Sequence, residues 1–410
     1  MTPIKVLHFA DAHIDIANYG RHDPETALPV RVMDFLSALD QIVETAVSEE
    51  VDLVIFAGDA YKDRNPQPTF QREWGKRIMR LSKAGIPTVL LVGNHDMSPA
   101  SGRAHTLQEF NTLAVDHIFV ADRIGVLTPD DLGIPVQVIA VPWVSRSKLM
   151  SREEMAGQSL QEVLASMEER VTKAVLNAIE NSDPDIPLIL TAHASVSGAV
   201  FGSERAVMLG HELVLGGSLV SHKQLDYVAL GHIHKHQALS KRGQHPPIVY
   251  PGSIERIDFG EAKEDKGFVI AEVAKGATFW DFIKLKTRRF LDYGVDAREA
   301  DGFMQAVMAQ LPAAEDVTDA VCRVKLTYPE NLESMLDENQ IADRFSEAFS
   351  VQFQKHRLQT NRSRLGNTVA VESLSKEALL EKYWLTKQFD SVEIAALQTL
   401  ANELFGNMEE

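Results

Sequence analysis

Thr88-Val89-Leu90-Leu91-Val92-Gly93-Asn94-His95-Asp96 is the stretch on which the fold turns. Five apolar or β-branched residues make a short buried strand. A glycine then allows a tight turn, and three side chains able to bind metal or move protons follow at once. The same order of parts recurs on both sides. Residues 4–10 run into Asp11 and His13, and residues 51–57 into Gly58 and Asp59. Residues 186–192 run into His193, and residues 227–230 into Gly231, His232 and His234. Between these runs Val32, Phe35, Leu36, Leu39, Ile42, Val43 and Ala46 recur at helical spacing, and residues 70–82 and 159–180 also read as helices. Further strands are predicted at 136–141 and 268–273. Alternating strands and helices predict an α/β domain with helices on the sheet faces. Loops at the carboxyl ends of strands are where open α/β sheets place their sites.

Composition bounds the rest. The 410 residues suggest two to three domains, at roughly 100–200 residues each. Cys322 is the sole cysteine, which excludes a disulfide scaffold and suits a reducing cytoplasm. No apolar run approaches the roughly 18 residues of a membrane span, and the start lacks the architecture of a signal peptide. The net charge of −17, from 41 basic and 58 acidic residues, argues against a protein that coats nucleic acid by bulk charge. It leaves room for an enzyme that binds DNA locally, because bound cations and small basic patches reverse the field where it matters.

Asp11, His13, Asp59, Asn94, His193, His232 and His234 offer carboxylate, imidazole and amide ligands. Seven exceed what one ion takes from side chains and suit two ions sharing a bridging carboxylate. Mixed N/O ligation without thiolate favours divalent Mn, Fe or Zn over Ca. Two such ions about 3.5–4 Å apart clamp a phosphate and activate a water. In-line attack also needs an acid for the leaving oxygen, and His95, next to Asn94, is placed for that. A single histidine after a strand is more often a buried structural residue, and five such clusters in one chain reverse that odds. His8, within a strand, is read as structural, and His236 as a loop residue or a support behind the ligands.

Beyond residue 278 the texture changes. A strand at 279–286, a helix at 303–311, a strand at 321–328, a helix at 341–349 and a strand at 351–358 read as a smaller α/β unit. A basic run at 355–364 follows, and then a helical pair, with Ser375 capping its first helix and Asp390 and Glu393 forming a capping box for the second. That run and the cluster Lys284, Lys286, Arg288 and Arg289 are either phosphate contacts or a charged surface.

Taken together, Asp11-x-His13, Gly58-Asp59, Gly93-Asn94-His95-Asp96, His193 and Gly231-His232-x-His234 resemble the motif set of calcineurin-like metallophosphoesterases. Residues 250–256 (Tyr-Pro-Gly-Ser-Ile-Glu-Arg), followed by Asp258-Phe259-Gly260-Glu261, look like the segment closing the nuclease domain of SbcD-type DNA double-strand-break repair nucleases. The resemblance implies a β-sandwich flanked by helices (residues 1–277), a small α/β capping domain (278–357), a linker (358–372) and a helical pair (373–410) that docks on an SbcC-type coiled-coil ATPase. It implies that Asp11, His13, Asp59 and His234 hold one ion, that Asp59, Asn94, His193 and His232 hold the other, and that His95 is the catalytic acid. It further implies two Mn²⁺ ions, DNA exonuclease and endonuclease activity, a homodimer, and a cytoplasmic, nucleoid-associated location. Three residues past Asp59, where such relatives often carry His or Asp, stands Lys62. It cannot act as a carboxylate partner but can meet phosphate as a point charge. The alternative on the same dinuclear core is a phosphatase or cyclic-nucleotide phosphodiesterase, for which the appended cap and helical pair are superfluous. A catalytically dead scaffold would have lost ligands, and this chain keeps them.

Overall fold

The structure is a computed structural model that describes residues 2–20, 22–98, 103–149, 157–202, 212–241, 243–358, 376–387 and 389–406. In chain order its strands are β1 (Ile4–Phe9), β2 (Leu53–Phe56), β3 (Thr88–Leu91), β4 (Ile118–Ala121), β5 (Gly125–Leu127), β6 (Gln137–Val141), β7 (Leu188–His193), β8 (Ser195–Val196), β9 (Val214–Leu215), β10 (Tyr227–Gly231), β11 (Gln237–Ala238), β12 (Ile248–Tyr250), β13 (Gly267–Ala274), β14 (Ala277–Lys284), β15 (Phe290–Asp296), β16 (Val321–Pro329) and β17 (Ser350–Leu358). Two six-stranded sheets dominate, ordered β14-β13-β1-β2-β3-β4 and β11-β12-β10-β7-β6-β5. The strands that end in the polar clusters run parallel to their neighbours: β1 with β2, β2 with β3, and β7 with β10.

Period-two alternation makes each central strand two-faced. Val6, Leu53, Ile55 and Val89 of the first sheet pack with Val138, Ile189, Tyr227 and Ala229 of the second, forming the core between the sheets. Leu7, Phe9, Val54 and Phe56 face the other way, onto the helices Val30–Ser48 and Pro68–Lys83 through residues such as Phe35, Leu39, Trp74 and Ile78. Leu188, Leu190, Val228 and Leu230 likewise meet the helix Leu160–Glu180 through Val163, Met167, Val171, Val175 and Ile179. The layers are therefore helix, sheet, sheet, helix, and the strands read as near-continuous apolar runs because both faces are covered. Ser159 and Glu162 close a reciprocal capping box at the start of the long helix.

The chain divides into two compact units: residues 1–293, 312–323 and 344–352, and residues 294–311, 324–343 and 353–410. β15, β16 and β17 form a separate three-stranded sheet in that order. In the second unit Phe303, which opens the helix Phe303–Ala309, packs edge-on to Tyr328. The expected helix at 341–349 is the shorter Glu338–Asp343. The strand expected to open the small unit is instead the edge strand of the first sheet, because Lys275-Gly276 makes a two-residue hairpin turn, with φ of 73° at Gly276, and pairs β14 with β13 from Ala274↔Ala277 to Gly267↔Lys284. The C-terminal pair consists of Lys376–Thr386 and Ser391–Gly406, and Asp390 and Glu393 bond reciprocally at its second start. Ser375 and residues 359–374 lie outside the described residues. Among the described residues no helix is long and apolar enough to cross a membrane.

Candidate metal centre

All eight singled-out side chains meet at the carboxyl ends of β1, β2, β3, β7 and β10. Asp11, His13, Asp59, Asn94, His193, His232 and His234 are buried, and His95 is half-buried at the rim. Ligand atoms of Asp11, His13 and His234 lie within 4.8 Å of one another, as do those of Asp11, Asp59 and His193. The turns that deliver them are strained. Asp11, His13, Asp59 and His232 have φ of 51°, 40°, 67° and 101°, a region non-glycine residues avoid unless the surroundings hold them there. Gly58 and Gly93 permit the approach: a Cβ on the first would sit 2.3 Å from His193 Nδ1, and on the second 2.1 Å from Asp59 Oδ1.

Outward-facing hydrogen bonds decide which nitrogen each imidazole turns inward. His13 Nδ1–H donates to the Tyr61 carbonyl at 3.1 Å, and His234 Nδ1–H donates to Glu261 Oε1 at 3.0 Å. Their Nε2 lone pairs then face each other at 3.2 Å. His193 Nδ1–H donates to the Ala57 carbonyl at 2.7 Å, turning Nε2 to within 2.9 Å of Asn94 Oδ1 and 3.4 Å of Asp59 Oδ2. His232 is reversed: Nε2–H donates to Glu212 Oε2 at 2.8 Å, and Nδ1 lies 3.1 Å from Asn94 Oδ1. Four imidazole lone pairs, an amide oxygen and two carboxylates thus point at one another with no donor among them. Such a set is repulsive until a cation or a proton enters, so the residues fit divalent ions.

The electrostatics agree. Burial pulls the His193 imidazole down, yet the facing Asp59, then Asp11, lift it to about 9. Burial would raise the Asp59 carboxyl, but His193, with His95 and His13 behind it, holds it well below its ordinary value. Burial, then His234, holds His13 well below the usual imidazole range. Asp11 is common to both groups, and Asp59 of the second also approaches the first: Oδ2 is 3.4 Å from His193 Nε2 and 4.0 Å from His13 Nε2, and Oδ1 accepts the His95 backbone N–H at 2.8 Å. Asp59 could bridge two ions. His95 Nδ1–H donates to the Lys62 carbonyl at 2.8 Å, and Nε2 lies 3.5 Å from Lys62 Nζ.

Sequence reading assigned no role to the residues behind these groups. Asp96 accepts the backbone N–H groups of Gly93, Asp59 and Ala60 and the Thr106 hydroxyl, clamping two turns together. Burial pushes its carboxyl up to about 7 against those donors. Glu261 accepts from His234 and pairs at 2.8 Å with the fully buried Lys266, whose ammonium also reaches the His234 carbonyl, Ser253 Oγ and Glu264. Glu212 accepts from Ser195 Oγ as well as from His232. Trp143 lies over the His232 ring, centroids 5.1 Å apart. Asp96 and Glu261 stand inside motifs visible in the sequence, but their tasks, like those of Glu212, Lys266 and Trp143, are set by partners distant in the chain. Among the described residues of the two basic clusters, Lys284 pairs with Asp265, Arg288 with Asp34, Lys355 with Glu338 and Arg357 with Glu333.

A two-layer sheet sandwich with a dinuclear candidate site at its strand ends suits a metal-dependent hydrolase. The calcineurin-like phosphoesterase family model matches residues 4–236, and the chain belongs to that family. It is 26% identical over 304 residues to the uncharacterized metallophosphoesterase YhaO of Bacillus subtilis, a match covering 73% of this chain and 65% of that protein. It is 23% identical over 338 residues to the DNA double-strand break repair protein Mre11 of Archaeoglobus fulgidus, covering 78% of this chain and 68% of that one. The matches thus span only about two thirds of these relatives. Among solved structures, a dimetal phosphatase from Danio rerio aligns with a TM-score of 0.40 at 12% identity, covering 69% of this chain and 97% of its own.

Proposed function

We propose that this metallophosphoesterase is a DNA nuclease that hydrolyses phosphodiester bonds. The observation that carries the chemistry is the donor-free convergence of Asp11, His13, Asp59, Asn94, His193, His232 and His234, with His95 beside it. The likeness to Mre11 supports DNA as substrate. Asp11, His13, Asp59 and His234 would hold one divalent ion, and Asp59, Asn94, His193 and His232 the other, with Mn²⁺ the ion that the resemblance to SbcD-type nucleases implies. The ions, when bound, supply charge neutralisation at phosphate and a water of lowered pKa. The chain's own residues do the rest. The outer bonds of the four histidines keep one bare nitrogen of each directed inward. The Asp59–His95 bond fixes the acid relative to the bridge. His95 Nε2 gives its proton to the leaving oxygen.

The capping unit, the homodimer and the docking of 373–410 on a coiled-coil ATPase belong to the same proposal. Tyr383, Leu385, Phe389 and Leu400 are exposed on and beside the helical pair, where a partner groove would cover them. The test is cleavage of linear duplex, circular single-stranded DNA and a simple phosphodiester with Mn²⁺, with Asp59→Ala as control. DNA cleavage lost in the control is the expected result. Hydrolysis of the simple diester alone would favour a phosphatase or cyclic-nucleotide phosphodiesterase.

A further inference from the structure

Lys62 joins the acid to a cleft. Its carbonyl holds His95 Nδ1, so Nε2 is the nitrogen that faces a leaving group, and Lys62 Nζ lies 3.5 Å from that Nε2. An oxygen within hydrogen-bond reach of Nε2 is therefore close to the ammonium as well. Lys62 is exposed and, among the described residues, forms no ion pair with a carboxylate. Asp15, on the adjoining loop, is occupied by the backbone N–H groups of Lys62 and Asp63, and Asp63 by that of Asn65. The ammonium's partner is thus His95 Nε2 and not a carboxylate, and an incoming anion beside Nε2 would meet both groups.

From Lys62 a cleft of about 570 Å³ opens, with Ile16, Ala17, Leu28 and Phe70 on its apolar walls, Gln67, Thr69 and His22 among its polar ones, and the carboxylates of Asp15 and Asp63 at its edge beside Lys62. That size falls within the roughly 300–1,000 Å³ typical of small-ligand sites. Apolar walls suit the faces of a sugar and a base, and the amide and hydroxyl suit base edges.

We propose that Lys62 and this cleft form the subsite for the leaving nucleotide, a reading that rests on the nuclease assignment above. Water forms the new P–O bond and sheds a proton to solvent. The old P–O bond breaks with its electron pair on the leaving oxygen, which takes the His95 Nε2 proton while Lys62 offsets its charge. His95 is reprotonated from solvent.

The test is the ratio of kcat/KM on thymidylyl-thymidine to that on bis(p-nitrophenyl) phosphate, whose leaving group has no nucleoside. Lys62→Gln and the cleft-filling Ala17→Trp should each lower that ratio about tenfold, the scale of one charge-assisted contact, and Lys62→Arg should restore it. Binding of a labelled oligothymidylate in EDTA gives a second readout independent of turnover: Lys62→Gln should weaken it and make log K against log salt shallower by about 0.7. An unchanged ratio in both variants, or equal loss on both substrates, overturns the subsite. A wild-type protein that hydrolyses the nitrophenyl diester but neither the dinucleotide nor DNA overturns the nuclease reading as well. Those two failures are distinct.

Discussion

His95, Glu212 and Glu261 show how much depends on the far side of an imidazole. His95→Asn removes the proposed proton donor while sparing the buried cluster. Turnover should fall by roughly 10²–10⁴-fold with Mn²⁺ stoichiometry intact, read by calorimetry beside initial rates. Glu212→Gln and Glu261→Gln leave every inward-facing atom present but loosen the choice of nitrogen at His232 and His234. Metal affinity should drop by about 10–100-fold. Glu261 also balances the buried Lys266, so Glu261→Gln should cost roughly 3–5 kcal/mol of stability as well, measurable by denaturant titration. Paired with Lys266 and His234, the Glu261 carboxyl overcomes burial and lies at about 2. Its contribution is therefore full above the ordinary carboxylate range and lost as pH falls toward 2, which an acid-unfolding series should resolve. His193 runs the other way: at about 9 it holds a proton at neutral pH in the metal-free protein, and a cation must displace it. Metal binding at neutral pH should release about one proton from this group, seen as a buffer-dependent binding enthalpy, and affinity should rise as pH approaches 9.

At the level of elements, the turns after β1, β2 and β10 do the placing. Gly93→Ala would put a methyl carbon 2.1 Å from Asp59 Oδ1 with backbone behind it, and the β3 turn would have to move. We expect loss of metal binding with the circular dichroism of the sheets retained. By contrast, Ser159→Ala removes only one half of a capping box that includes none of the candidate ligands and should cost about 1 kcal/mol with turnover unaffected. The helices Val30–Ser48 and Leu160–Glu180 were legible because their apolar residues repeat at helical spacing against a flat sheet. β4, β5, β12 and β15 were not, since strands of three to seven residues between turn-forming neighbours carry too little periodicity to stand out.

For the whole molecule, Asp59→Ala should abolish turnover. Added Mn²⁺ should raise the melting temperature of the wild type, because an ion that binds only the folded arrangement stabilises it by mass action. The same addition should shift Asp59→Ala less. A chain ending near Gly366 should keep metal-dependent cleavage and lose any coiled-coil ATPase partner.

Motif order alone was enough to name Asp11, His13, Asp59, Asn94, His95, His193, His232 and His234 and to predict layered α/β structure. A strand running into a metal-capable side chain, three times through a glycine, is a local pattern, and meeting it five times leaves few folds that can use it. Tertiary structure alone decided the rest: that β14 closes the first sheet, that Lys284, Arg288, Lys355 and Arg357 are already paired, and that Glu212, Glu261 and Lys266 stand behind the histidines. The physical reason is distance along the chain. Burial, hydrogen-bond direction and ion pairing depend on which side chain arrives opposite, and His13 meets His234 at 3.2 Å only because two separate sheets stack with their strand ends together.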